Sequence, residues 1–152
     1  MTFFYLWIQK PLEDGYKIYW ELLKVMLPIM ILIRFAEQWG MIELISVVFT
    51  PFMDVVGLPP QAGFIWSTAM LVNIYAGMVA FATILPDVPM TIAEVTVLGT
   101  MILIAHSLPV EQRIVQRAGV SLIASTILRI GGALMLGMIL NLIYTTTNQL
   151  QS

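Results

Sequence analysis

The sequence has no cysteine and a single histidine. The first absence excludes disulfides and thiolate metal sites. The second excludes a histidine-rich metal site within one chain. Charge is scarce as well: 11% of residues are charged, against about 25% in a soluble domain. That leaves too little polar surface to solvate a globule of 152 residues. The net charge of −2 offers no basic face to a nucleic acid. Nothing resembles a hydrolase triad, a phosphate loop or a pair of catalytic carboxylates. The sequence therefore points away from enzymes and implies no cofactor and no metal.

Hydrophobic residues are abundant, at 59%, and mean hydropathy is +0.91. These values predict an all-α integral membrane protein, with the lipid bilayer as its solvent. Residues 1–20 mix Tyr5, Trp7, Tyr16, Tyr19 and Trp20 with Lys10 and Lys17, a composition that favours the headgroup layer. They read as an interfacial segment, with no small-residue cleavage site after the apolar start. A first membrane helix is predicted over 21–38, with Pro28 inside and Lys24 and Arg34 able to snorkel at its ends. Residues 41–56, with Glu43, Pro51 and Asp54, read as an amphipathic interfacial helix.

After Gly57-Leu58-Pro59-Pro60 comes the longest uncharged stretch, Val55 to Pro86. Residues 62–85 form either one span or a re-entrant helical hairpin with its tip near Asn73 to Gly77. Pro86-Asp87-Val88-Pro89 is a turn, and Thr91 with Glu94 has the spacing of a capping box. The helix that follows meets His106-Ser107-Leu108-Pro109, where proline removes a backbone donor. A short helix over 110–117 and a last span over 119–144 complete the membrane domain, 21–144. Residues 145–152 read as a polar tail.

The cations decide the topology. Lys10, Lys17 and Lys24 lie at the N-terminal end and Arg113 and Arg117 before the last span, while the connections 39–62 and 86–94 hold no lysine or arginine. Positive residues favour the cytoplasm. The N-terminus and residues 110–118 should then share the cytoplasmic side of an inner membrane, which needs an even number of crossings between them. A hairpin over 62–85 satisfies that count. The expectation is three crossings, one of them discontinuous, plus the hairpin and the interfacial helix, with an external C-terminus.

Five residues are candidates for binding a solute. Arg129 is the only charge in the last span, where an arginine costs roughly 2.5–3.5 kcal/mol on insertion scales. It contacts an anion or substrate, or it forms a salt bridge with Glu111 or Glu94. Ser121, Ser125, Arg129, Ala133, Gly137 and Asn141 recur every fourth residue, a small and polar ridge suited to close packing. His106 and Ser107 lie at the helix break, with Glu111 just downstream. Broken helices free backbone groups for ligands, and histidine also titrates near neutral pH. Asn73 either meets substrate from a hairpin tip or joins helices.

The run Val56-Gly57-Leu58-Pro59-Pro60, the uncharged stretch after it, His106-Ser107-Leu108-Pro109-Val110-Glu111, and Leu128-Arg129 together resemble the nucleoside recognition, or Gate, family. That family includes parts of concentrative nucleoside transporters, Gate regions of the ferrous iron transporter B, and spore maturation proteins A and B. The resemblance covers about 20–143. It implies one repeat, or half, of a transporter, with Asn73, His106, Ser107 and Glu111 near a central site for a small solute. It also implies a second Gate-like subunit in inverted orientation, or a homo-oligomer, as partner. The lack of cysteine departs from the iron-transporter pattern. The alternative to a half-transporter is a membrane scaffold or regulatory subunit that transports nothing.

Overall fold

The computed structural model describes residues 10–147. Readings that fall on residues 1–9 and 148–152 lie outside the described residues. Helix α1 runs over Lys10–Gln38. Pro11 sits in its first turn, where its missing N–H costs nothing, and Gly15 is tolerated. The boundary expected at residue 20 is therefore no break: the aromatic-and-lysine segment continues into the helix beyond it. Glycine 40 then takes a left-handed conformation, φ 68°, and the chain turns by 82° from Leu27–Ala36 into α2, Met41–Val56. Helix α2 ends in a glycine cap: Gly57 is left-handed, φ 70°, its N–H donates to the Asp54 carbonyl, and Leu58 N–H donates to that of Met53 at 2.9 Å. Both faces of α2 carry apolar side chains, with Met53 and Val56 buried and Leu44, Val47 and Val55 exposed.

Helices α3, Ala62–Leu71, and α4, Ile74–Ile84, form a hairpin joined by Val72 and Asn73. Each is about 15 Å long at 1.5 Å per residue, half of the roughly 30 Å hydrocarbon core. Asn73 makes the turn: its backbone is extended, and its side-chain oxygen accepts from Ala76 N–H at 2.9 Å as the cap of α4. The two helices touch closely because Gly77 has no side chain. A Cβ there would stand 2.6 Å from that of Ala69.

Helix α5, Ile92–Ile104, starts in the anticipated capping box: Glu94 N–H donates to Thr91 Oγ1 at 3.2 Å, and Thr91 N–H to the Glu94 carboxylate at 2.7 Å. After the break come α6, Leu108–Arg117, and α7, Leu122–Thr146. Among the described residues two stretches are long and apolar enough to cross a membrane, Ile92–Arg117 taken through its break and Leu122–Thr146. A third joins them if Leu27–Ala36 and Met41–Val56 are counted as one bent span.

The core sits around α3. Every residue from Ala62 to Met70 except Thr68 is buried, because α3 packs against α2, α4, α5 and α6. Trp66 stands edge-on to Phe49 of α2. Helix α7 closes on α5 and α2 through Ala133 and Gly137. A Cβ at Gly137 would stand 3.0 Å from both Met101 Sδ and Val56 Cγ1. The small-and-polar ridge of α7 is thus its inward face.

Candidate functional site

The break between α5 and α6 begins where Pro109 enters. Proline has no N–H, so a carbonyl of the preceding turn loses its helical donor. Ala105 leaves helical geometry, and Ser107 adopts φ 48°, ψ 33°, the one left-handed residue other than glycine among the described residues. A left-handed non-glycine residue costs on the order of 1 kcal/mol. The compensation is visible: Ser107 N–H donates to the Ala69 carbonyl at 2.9 Å. This bond ties the break to the last turn of α3, next to the hairpin tip. The Ser107 carbonyl in turn accepts from Val110 and Glu111 N–H, which restarts the helix.

With the helix restarted there, Glu111 stands between two partners. Its Oε1 lies 3.3 Å from His106 Nε2, and its Oε2 accepts from the Arg129 guanidinium of α7. His106 Nδ1 lies 3.1 Å from the Ile102 carbonyl. The imidazole is thus placed between a backbone carbonyl at Nδ1 and the Glu111 carboxylate near Nε2. Of the two partners the sequence offered Arg129, the structure selects Glu111. The network is not sealed: side-chain exposure is 26% at His106, 28% at Glu111 and 30% at Arg129. Arg129 lies about 10 Å along α7 from Leu122, at 1.5 Å per residue.

His106, Glu111 and Arg129 are thus joined through side chains, and Ser107 through its backbone. Asn73 stands apart. It occupies the hairpin tip, but among the described residues its side chain bonds only within the hairpin, as the cap of α4. A group used that way has one acceptor lone pair and two donors left for anything else. Sequence reasoning missed Gln112. Its side chain is buried, 8% exposed, and neither amide atom has a partner among the described residues. The signal available was its spacing: Leu108 and Gln112, four apart, form the buried stripe of α6. No group of three or more acidic, histidine or cysteine side chains is placed to hold a metal among the described residues.

The chain is similar to the uncharacterized membrane protein YvoD of Bacillus subtilis (strain 168), 26% identical over 133 residues. The match takes in 88% of this chain and 41% of that protein, so the chain spans less than half the length of the curated relative it matches. No family model and no solved structure matches the chain. The likeness and the apolar helices agree on a helical membrane protein in contact with the bilayer.

Proposed function

We propose that the chain is a membrane subunit equivalent to one half of a solute transporter. Its pathway is completed by a second subunit of the same kind, packed in inverted orientation. The observation that carries this reading is the open ion network at the helix break. Charged groups at membrane depth do not face lipid, so the exposed quarter to third of His106, Glu111 and Arg129 is covered by protein or by a wet cavity. The hairpin supports the same view. Its two short helices enter and leave on one side, and a non-helical tip at membrane depth needs protein or water around it. The tip residues Leu71, Val72 and Tyr75 are nonetheless exposed in the single chain. The relative leaves room for a second unit of this size in one polypeptide.

In this reading His106, Ser107, Glu111 and Arg129 contact the solute, and Asn73 shapes the tip. The unit is a Gate-like repeat with no enzymatic step, in an inner membrane, with its N-terminus cytoplasmic and its C-terminus external. Five cations at one side and none in the other connections argue against a dual-topology homodimer. The second reading is a scaffold that transports nothing. It is favoured by one fact: Glu111 already has two partners, enough to hold α5, α6 and α7 together.

The test is mild-detergent purification from the native membrane, followed by mass measurement of the intact complex. A second small membrane protein at fixed stoichiometry, with the opposite charge bias, is expected. A homo-oligomer alone rejects the inverted pairing. Because the chain lacks cysteine, Pro60→Cys and Val88→Cys report topology directly. Labelling from the same side is expected, and labelling from opposite sides rejects the hairpin.

A further inference from the structure

The corner between α6 and α7 carries two features that the solute site does not use. The first is a pair of arginines. Arg113 and Arg117 are exposed, four residues apart on α6, and neither has an acidic partner among the described residues. The only acid between Leu108 and Leu128 is Glu111, whose carboxylate is engaged by Arg129 and His106. The corner therefore keeps an uncompensated positive charge. The N-terminus of α7, the positive end of its helix dipole, lies at the same place.

The second feature is a cleft of about 410 Å³ bounded by the hairpin tip, α6 and α7, with Leu71, Leu108, Pro109, Gln112, Thr126 and Ile130 among its walls. Its lining is almost wholly apolar. Pro109 and Arg113 are four residues apart and share a stripe of α6, so the cations stand one and two turns toward the cytoplasmic end from the cleft. Along α7 the order is the same, from Leu122 near the corner to Ile130 inside. The sequence of chemistry from corner to interior is cations, then the buried unpartnered amide of Gln112, then hydrocarbon.

That order matches one kind of molecule. We propose that the α6–α7 corner binds an anionic phospholipid of the cytoplasmic leaflet, with its phosphate at Arg113 and Arg117 and an acyl chain in the cleft. The leaflet's own negative charge attracts juxtamembrane cations, and basic pockets between membrane helices hold headgroups. Glycerol ester carbonyls would lie at the depth of Gln112, whose amide is enclosed there and has no partner among the described residues. The lipid would brace the hairpin tip from below without entering the His106–Glu111–Arg129 network. The proposal does not depend on transport, since a scaffold could hold the same lipid.

The experiment is native mass spectrometry of the complex as isolated from its membrane, stripped of lipid and titrated with phosphatidylglycerol or chain-matched phosphatidylcholine. The wild type is expected to retain about one phosphatidylglycerol per chain in preference to phosphatidylcholine. The double variant Arg113→Gln/Arg117→Gln should lose roughly thirtyfold in that preference, about fivefold for each cation near an anionic surface. Both positions are exposed, so the fold and the assembly mass should not change. Thr126→Trp, which fills the cleft, should weaken both lipids. Lys10→Gln/Lys17→Gln, removing two other cations of the same side, should change nothing. A wild type without preference, an equal loss on removing the lysines, or full displacement by inorganic phosphate overturns the proposal.

Discussion

Helices α3 and α7 are both apolar, and Arg129 is the only charge in the two together. Their surroundings differ completely. Nearly all of α3 is buried by the chain itself, whereas α7 buries only Ala133 and Gly137 and leaves Leu128 76% exposed. Apolar sequence reports that a segment avoids water, and does not say whether protein or lipid replaces it. The length of each helix separates the two cases. A helix of 25 residues can satisfy its backbone while crossing lipid, and one of 10 cannot. The short helix is the one the fold wraps, and the long one is the one it leaves for lipid or a partner.

The sharpest way to break this comparison is to truncate one large side chain in each helix. Trp66→Ala should lower the stability of the purified protein by about 3–5 kcal/mol, as for a fully buried aromatic. Leu128→Ala should stay within about 0.5 kcal/mol. Thermal unfolding in one detergent reads both, and equal losses would erase the distinction. Trp66→Phe refines the point. The Trp66 indole N–H is buried without a partner among the described residues, so phenylalanine should recover most of the loss.

Glycine substitutions sharpen the same contrast at smaller amplitude. Gly77→Val drives a side chain into Ala69 across the hairpin and should cost about 1–3 kcal/mol. Gly137→Ala meets Met101 and Val56 at 3.0 Å, but the methionine can shift, so its cost should be smaller. Gly99→Ala, with open space around it, should be silent. If Gly137→Ala proved worse than Gly77→Val, the α7 contact and not the hairpin would be the tighter joint.

The ion network lies where the two regions meet. Arg129→Met leaves Glu111 with His106 alone and should cost about 1–3 kcal/mol, toward the low end because both side chains are nearly a third open. The double variant Arg129→Met/Glu111→Gln should be less destabilised than Arg129→Met alone. A double-variant cycle in the purified protein measures that coupling. If the double variant is the worse of the two, the network does more than neutralise charge.

Much of this architecture was legible because it rests on local chemistry. The Thr91–Glu94 box, the break before Pro109 and a turn near Asn73 each follow from one or two residues whose backbone preferences are strong. Arg129 read either as a solute contact or as half of a salt bridge, and Glu111 was one of the two acids the sequence offered it. What was hidden depends on tertiary contact. That α1 already covers residues 10–20 was hidden because aromatics and lysines mark depth in a membrane and not helix content. That Asn73 caps α4 through its side-chain oxygen was hidden because an asparagine at a turn can equally turn its side chain outward, and the choice depends on the backbone around it. The enclosed amide of Gln112 runs against the expectation that glutamine on an amphipathic helix faces water.

Ser107 shows how the buried hairpin and the broken span are held together. A serine at φ 48° is strained, and glycine would not be. The position is held by the Ser107 N–H bond to Ala69, a main-chain group that any residue but proline supplies. Ser107→Gly should therefore keep the bond, relieve the backbone, and change stability by less than about 1 kcal/mol, since glycine also gains freedom in the unfolded chain. Ser107→Val should lose roughly 1–2 kcal/mol, because a branched side chain tolerates the left-handed region worst. If a transport assay loses activity in Ser107→Gly while stability is kept, the hydroxyl itself contacts the solute. If activity survives, the serine serves the joint, and the proposed solute contacts narrow to His106, Glu111 and Arg129.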